Sequence, residues 1–196
     1  MSNVPKRDNS DLASKLELRR LCLKAWHDSS PITVLDCCAG QNHLWHELRA
    51  EFPVKYVGLD KMQKGTANVK IDSTRWLRSV SLAAYDVIDV DAYGEPWPWW
   101  VDILSRATRD VTVFLTCGAF GSPGRSQISQ LRKTLAGIPE DWQLPMSDAV
   151  ALLLTERCLG ALYTFGLGCA GAYEIKSRTS GTYYYGIRLT SPKSPD

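Results

Sequence analysis

"VLDCCAGQNHLWHEL", Val34 to Leu48, passes from an apolar run through an acidic residue and a small-residue turn into a helical pattern. The run "ITVLDCC" (32–38) is rich in β-branched and apolar residues, as a buried strand is. Leu44, Leu48 and Phe52 then recur at helical spacing. Gly40 lies between the two patterns, where its missing Cβ lets the backbone turn tightly and approach a ligand closely. A strand leading straight into a helix is the first half of a βαβ unit.

The same alternation continues along the chain. "VKYVGLD" (54–60), "NVKID" (68–72), "YDVIDVD" (85–91) and "VTVFLTC" (111–117) read as further strands. Helical patterns are predicted over 11–27, 98–107, 125–135 and 147–163. In the first of these, Leu18, Leu21, Cys22 and Ala25 are expected to share the inward face, with Arg19, Arg20 and Lys24 elsewhere. "AYEIKSR" and "TYYYGIRLT", separated by "TSG", form a predicted closing hairpin. Alternating strands and helices imply an α/β fold: a mostly parallel sheet with helices on both faces, the hairpin adding one antiparallel strand.

At 196 residues the chain suits one domain with a sizeable core, placed at 10–190 between flexible ends at 1–9 and 191–196. A hydrophobic share of 44% and a charged share of 22% read as soluble and globular. The formal net charge of +2 gives no strong overall field toward nucleic acid or anionic membrane. The six cysteines include no C-x-x-C pair, which favours reduced, buried thiols and a cytoplasmic location. "MSNVPKRDNSD" lacks the apolar core of a signal peptide. The apolar stretch 149–167 is broken by Glu156, Arg157 and Gly160, so a core helix is expected there and no membrane partner.

Predicted strands end in, or just before, Asp36, Asp60, Asp72 and Asp91. In α/β sheets ligands bind outside the carboxyl ends of the strands, so carboxylates gathered there suggest a binding crevice. Asp60, after the second strand, is placed to accept hydrogen bonds from ribose hydroxyls. Neither a complete G-x-G-x-x-G nor a P-loop occurs, so a nucleoside without a pyrophosphate fits better. His43 and His46 share a helix face, but no Cys or carboxylate completes a ligand set, and no metal is expected.

"VLDCCAGQNHLWHEL", "YVGLD" and "DVIDVDAYGEP" (86–96), in this order and spacing, resemble the class I S-adenosylmethionine-dependent methyltransferases. The resemblance spans 32–117 and implies a Rossmann-like, seven-stranded sheet with one antiparallel strand. It also implies S-adenosylmethionine as cofactor. By that resemblance Asp36, Cys37, Cys38, Ala39 and Gly40 wrap the methionine part, Asp60 and Lys61 meet the ribose, and Asp72 with Ser73 lies against the adenine. Asp89 is assigned either to the cofactor or to an ion pair within the sheet. Asn42 stands where the family usually has a second glycine.

"DVIDVDAYGEP" is most similar to the D-P-[FY]-G-S-P segment of tRNA guanine N2-dimethyltransferases, with Ala92 in place of the proline and Glu95 in place of the serine. More distantly it is similar to the D-P-P-Y of amino-methylating DNA enzymes. This implies an exocyclic amine of a nucleobase, in RNA, DNA or a free nucleotide, as acceptor. Asp91, Tyr93 and Glu95 would be catalytic. Ala92, Trp97, Phe120 and Arg125 would meet the substrate. Of the "WPWW" tryptophans Trp97, Trp99 and Trp100, at least one is expected to fill core beneath the following helix, and Trp97, nearest the motif, is the best candidate to line the acceptor pocket. "GAFGSPGRSQISQLRK" (118–133) reads as a mobile, basic loop. Its Arg125, Arg132 and Lys133, with Lys15, Arg19, Arg20 and Lys24, form either a phosphate-contacting rim or solvated helix faces. A small-molecule or protein acceptor, and a non-catalytic cofactor-binding module, are the competing readings. A partner subunit or homodimer would supply recognition that one domain lacks.

Overall fold

The computed structural model describes residues 11–27, 31–41, 43–62, 69–92, 94–118, 129–141 and 148–191. Helix α1 (Leu12–Trp26) is followed by β1 (Ile32–Asp36), α2 (His43–Leu48), β2 (Val54–Asp60), β3 (Val69–Lys70) and α3 (Ser73–Ser79). Then come β4 (Val87–Val90), α4 (Trp97–Leu104), β5 (Val111–Cys117), α5 (Gln130–Leu135) and α6 (Asp148–Gly160), with β6 (Gly168–Lys176) and β7 (Tyr183–Thr190) closing the chain. No helix among the described residues is long and apolar enough to cross a membrane.

The seven strands form one sheet in the order β3-β2-β1-β4-β5-β7-β6. Pairing is parallel from β3 to β5, and β7 runs antiparallel to both its neighbours. The expected Rossmann-like architecture is therefore the one observed. Strands β4 and β5 are buried along their whole length because helices cover both faces. Side chains alternate between two cores. Leu35, Ile88, Leu115 and Tyr185 face one, with α3, α4 and α6, whereas Val34, Val87, Phe114 and Tyr184 face the other, with α1 and α2.

Three expectations change. The inner face of α1 is built from Lys15, Leu18, Arg19 and Cys22, while Leu21 is 44% exposed and Ala25 is also outward. The charged residues turn inward because carboxylates wait for them at the strand ends. "NVKID" yields only the two-residue β3, since Asp72 caps α3 instead of extending the strand. Of the thiols, Cys169 is exposed and Cys38 half-buried; the other four are buried, and all six are free.

The close passage of α1 over the sheet explains Gly186 in β7. A Cβ there would collide with Cys22 Sγ and stand 3.0 Å from Phe114 Cε1. Gly186→Ala is expected to lower stability by about 1–3 kcal/mol, the usual cost of overpacking. An unchanged urea midpoint would contradict this packing.

Candidate functional site

Strand order reverses between β1 and β4, so their carboxyl ends flank the crevice in which such sheets bind ligands. Register places Asp36 beside Asp89 there. A cleft of about 510 Å³ opens at this edge, lined by Asp36, Cys37, Cys38, Ala39, Gly40, Asp60, Lys61, Asp72, Ser73, Asp89, Asp91 and Ala92. Every expected cofactor residue thus lines this cleft.

The turn from β1 into α2 is tied to its neighbours by backbone bonds. Cys37 N–H donates to Asp89 O at 2.8 Å and Ala39 N–H to Leu59 O at 2.9 Å. Gly40 adopts a left-handed φ of 50°, and its N–H donates to Asp60 Oδ2 at 3.1 Å. Met62 N–H donates to the other Asp60 oxygen at 2.6 Å. The first and second strands are thereby fixed relative to one another at the cleft. Asn42 lies outside the described residues.

Two carboxylates at the end of β4 are neutralised from α1. Asp89, 1% exposed, accepts Arg19 Nε and Nη2 at 2.8 and 2.6 Å and Trp45 Nε1 at 2.8 Å. Asp91 accepts Lys15 Nζ at 2.5 Å on one oxygen and Thr116 Oγ1 at 2.7 Å on the other. Lys15 and Arg19 are one helical turn apart, so one stripe of α1 serves both acids.

Among the described residues no cation is bonded to Asp36, although Arg19 is near enough for the two charges to interact. The Asp36 oxygens accept Cys38 N–H and Tyr56 Oη–H, each at 3.0 Å. Burial, and then the charge of Asp89 opposite, push its carboxyl up to about 8. A carboxyl held above its unfolded value favours folding fully below the ordinary acid range, and that contribution is lost as pH rises toward about 8. Relative to the wild type, Asp36→Asn should gain stability steadily between about pH 5 and pH 8. A constant difference in urea midpoint over that range would contradict the assignment. Burial also drives the Cys37 and Cys38 thiols well above their usual value, which suits them as small fillers and not nucleophiles.

Asp72 caps α3, accepting Thr74 Oγ1 at 2.6 Å and Thr74 N–H at 3.1 Å, with Lys61 Nζ at 3.4 Å. Ser73 Oγ accepts Trp99 Nε1 at 2.8 Å, so Trp99 lines the cleft. Trp97, the expected pocket residue, is instead fully buried beneath Arg132. Trp97, Trp100 and Leu104 recur at helical spacing and face the core, which leaves Trp99 off that stripe. That periodicity was the available signal.

Glu95 does not line the cleft. It accepts Arg132 Nη1 at 3.3 Å and a hydrogen bond from Ser129 Oγ, which ties the segment after β4 to α5. Lys15, Arg19 and Arg132 are buried in ion pairs, so they belong neither to a phosphate-contacting rim nor to a solvated helix face, while Arg20 pairs with Glu51 at the surface. Buried acids need compensating cations, and those residues supply them. Tyr93, Phe120 and Arg125 lie outside the described residues. Tyr56, Trp45 and Lys15 belong to the site's support and carry no local motif.

No protein-family model matches the sequence, and no curated protein matches it. The structure is similar to solved ones. Trm1 from Pyrococcus horikoshii, in complex with S-adenosyl-L-methionine, superposes with a TM-score of 0.63 at 15% identity, covering 95% of this chain and 58% of that one. A candidate hemolysin from Lactococcus lactis gives 0.58 at 13% identity, covering 93% and 89%. A 1,6-didemethyltoxoflavin-N1-methyltransferase from Burkholderia thailandensis, with 1,6-didemethyltoxoflavin and S-adenosylhomocysteine bound, gives 0.55 at 12% identity, covering 93% and 80%. The chain therefore spans little more than half of the Trm1 chain, and what these proteins share with it is the fold.

Proposed function

We propose that the cleft holds S-adenosylmethionine and that the chain is a methyltransferase whose acceptor is an exocyclic amine of a nucleobase in RNA or DNA. The observation that carries this reading is the convergence of Asp36, Gly40, Asp60, Asp72 and Asp91 on one cleft at the topological switch point. Of the five aspartates among the described lining residues, Asp72, Asp89 and Asp91 are paired with Lys61, Arg19 and Lys15, which leaves Asp36 and Asp60 to meet a cationic nucleoside without phosphates. The ligands bound to the Pyrococcus and Burkholderia proteins support the same choice.

The residues divide the work by position. The turn from Asp36 to Gly40 presents backbone groups to the amino-acid end, Asp60 accepts from the ribose, and Ser73 with Trp99 walls the adenine. S-adenosylmethionine, when bound, supplies a methyl carbon activated by its sulfonium. Asp91 and the Ala92 carbonyl accept N–H groups of the incoming amine, turning its lone pair toward that carbon, and Tyr93, outside the described residues, is the aromatic assigned to the ring. Lys15 and Thr116 fix the Asp91 carboxylate in one orientation, so the main contribution is alignment. Asp91 also lies where the proton lost by the amine is taken up.

A small-molecule acceptor is the second reading. The pairing of Lys15, Arg19 and Arg132 inside the protein favours it, because a polyanionic substrate needs exposed cations. The test is incubation with methyl-labelled S-adenosylmethionine and separate pools of RNA, DNA, protein and small metabolites. Label in RNA or DNA is expected. Label in the metabolite pool alone selects the second reading, and binding without transfer selects a non-catalytic module.

A further inference from the structure

The Asp36 carboxyl is held by a residue that does not itself line the cleft. Register sets Val34 beside Tyr56 and Asp36 beside Gly58, and alternation along the strands puts all four on the face that α1 and α2 cover. The Tyr56 side chain lies along its own strand over Gly58, and its hydroxyl crosses to β1 to donate to Asp36 Oδ2 at 3.0 Å. Only a glycine leaves room for that path: a Cβ at Gly58 would stand 2.5 Å from Tyr56 Oη and 2.7 Å from Cε1. The Arg49 guanidinium lies over the ring, 5.5 Å from its centre. The other Asp36 oxygen accepts Cys38 N–H at 3.0 Å, so a donor on each oxygen fixes the plane of the group. Burial, and then the nearby charge of Asp36, push the Tyr56 phenol above its ordinary value, so it keeps its proton and remains the donor. Asp36 lines the cleft, and its remaining lone pairs are what a ligand meets there.

We infer that Tyr56 and Gly58 form a positioning pair that turns Asp36 toward the α-ammonium of the cofactor's amino-acid end, and so select ligands that carry this group. The inference rests on the reading proposed above, in which the turn from Asp36 to Gly40 meets that end, and extends it to the atoms of the ligand that are read. An ammonium donates charge-assisted hydrogen bonds, which are stronger than neutral ones and depend on direction. It also favours the charged form of the acid beside it. A carboxylate held on both oxygens before the ligand arrives has little freedom left to lose on binding. The α-ammonium is common to S-adenosylmethionine and S-adenosylhomocysteine, so Tyr56 serves both alike. Because Tyr56 acts through Asp36 alone, a nucleoside stripped of its ammonium gains nothing from it.

The experiment is calorimetric titration of the full chain with S-adenosylhomocysteine and with its deamino analogue, which has hydrogen in place of the α-ammonium. The wild type should bind the first about 10- to 10²-fold more tightly. Tyr56→Phe should weaken S-adenosylhomocysteine binding about tenfold and binding of the analogue less than about twofold. Gly58→Ala, which forces the ring off its path and leaves both hydrogen-bonding groups in place, should reproduce that selective loss. On an Asp36→Ala background, which has no carboxylate to aim, Tyr56→Phe should change S-adenosylhomocysteine affinity by less than about twofold. Equal wild-type affinities for the two ligands overturn the inference, and that comparison needs no variant. Equal weakening of both ligands in Tyr56→Phe also overturns it, as does a loss that persists without the Asp36 carboxylate, because a tyrosine that only supports the fold acts on every ligand. A wild type that binds S-adenosylhomocysteine without this selectivity leaves the proposed function standing. One that binds neither ligand overturns that function, and this inference with it.

Discussion

Asp91→Ala is expected to slow methyl transfer by about 10²–10³-fold while leaving S-adenosylmethionine affinity nearly unchanged. Both Asp91 oxygens are already held, by Lys15 and Thr116, so the carboxylate is rigid before an acceptor arrives. Its loss removes an acceptor aimed at the amine but leaves the turn at Gly40 and the Asp60 contact intact. The variant also leaves Lys15, only 4% exposed, without its acid, and some stability should be lost. Asp91→Ala combined with Lys15→Met separates the two effects: stability should recover and transfer should not. Steady-state rates and urea midpoints on the three proteins are the measurement. Full activity in Asp91→Ala would show that the amine is positioned elsewhere.

The largest effect on folding is expected from Arg19→Met. Arg19 gives Asp89 two charge-assisted bonds in a site from which water is excluded, and its Nη1 donates to Lys15 O at 3.1 Å. Removing one member of a buried pair strands the other, at a cost of about 3–5 kcal/mol. Arg19→Lys should recover only part of this, because an ammonium cannot reproduce the planar fork. Arg19→Met with Asp89→Leu should recover more than Arg19→Met alone, since no unpaired charge is left. Chemical denaturation of these variants gives the order directly. A double variant no better than the single one would mean that the pair does not act through charge compensation.

The parts of the fold legible in the sequence are those set by local periodicity. Runs rich in apolar residues marked β1, β2, β4 and β5, and the 3.6-residue recurrence marked α2 and α4, whereas the short α3 was not read from the sequence. The link from Gly40 to Asp60 was foreseeable because a turn and an acid at successive strand ends converge wherever the strands are parallel neighbours. The ion pairs were not legible in that way. Lys15 and Asp91 are 76 residues apart, and Arg19 and Asp89 are 70 apart. A lysine or arginine on an amphipathic helix ordinarily points to water, and only the buried acids of β4 reverse that preference. In "WPWW" three equivalent side chains were separable only once the start of α4 fixed which of them lay on the core stripe.

Equilibrium dialysis of the full chain against labelled S-adenosylmethionine tests the central claim most directly. Saturable retention of one nucleoside per chain, weakened by Asp60→Ala and displaced by unlabelled S-adenosylmethionine, is the predicted result. No retention above that of an unrelated protein, at nucleoside concentrations up to the millimolar range, would contradict it.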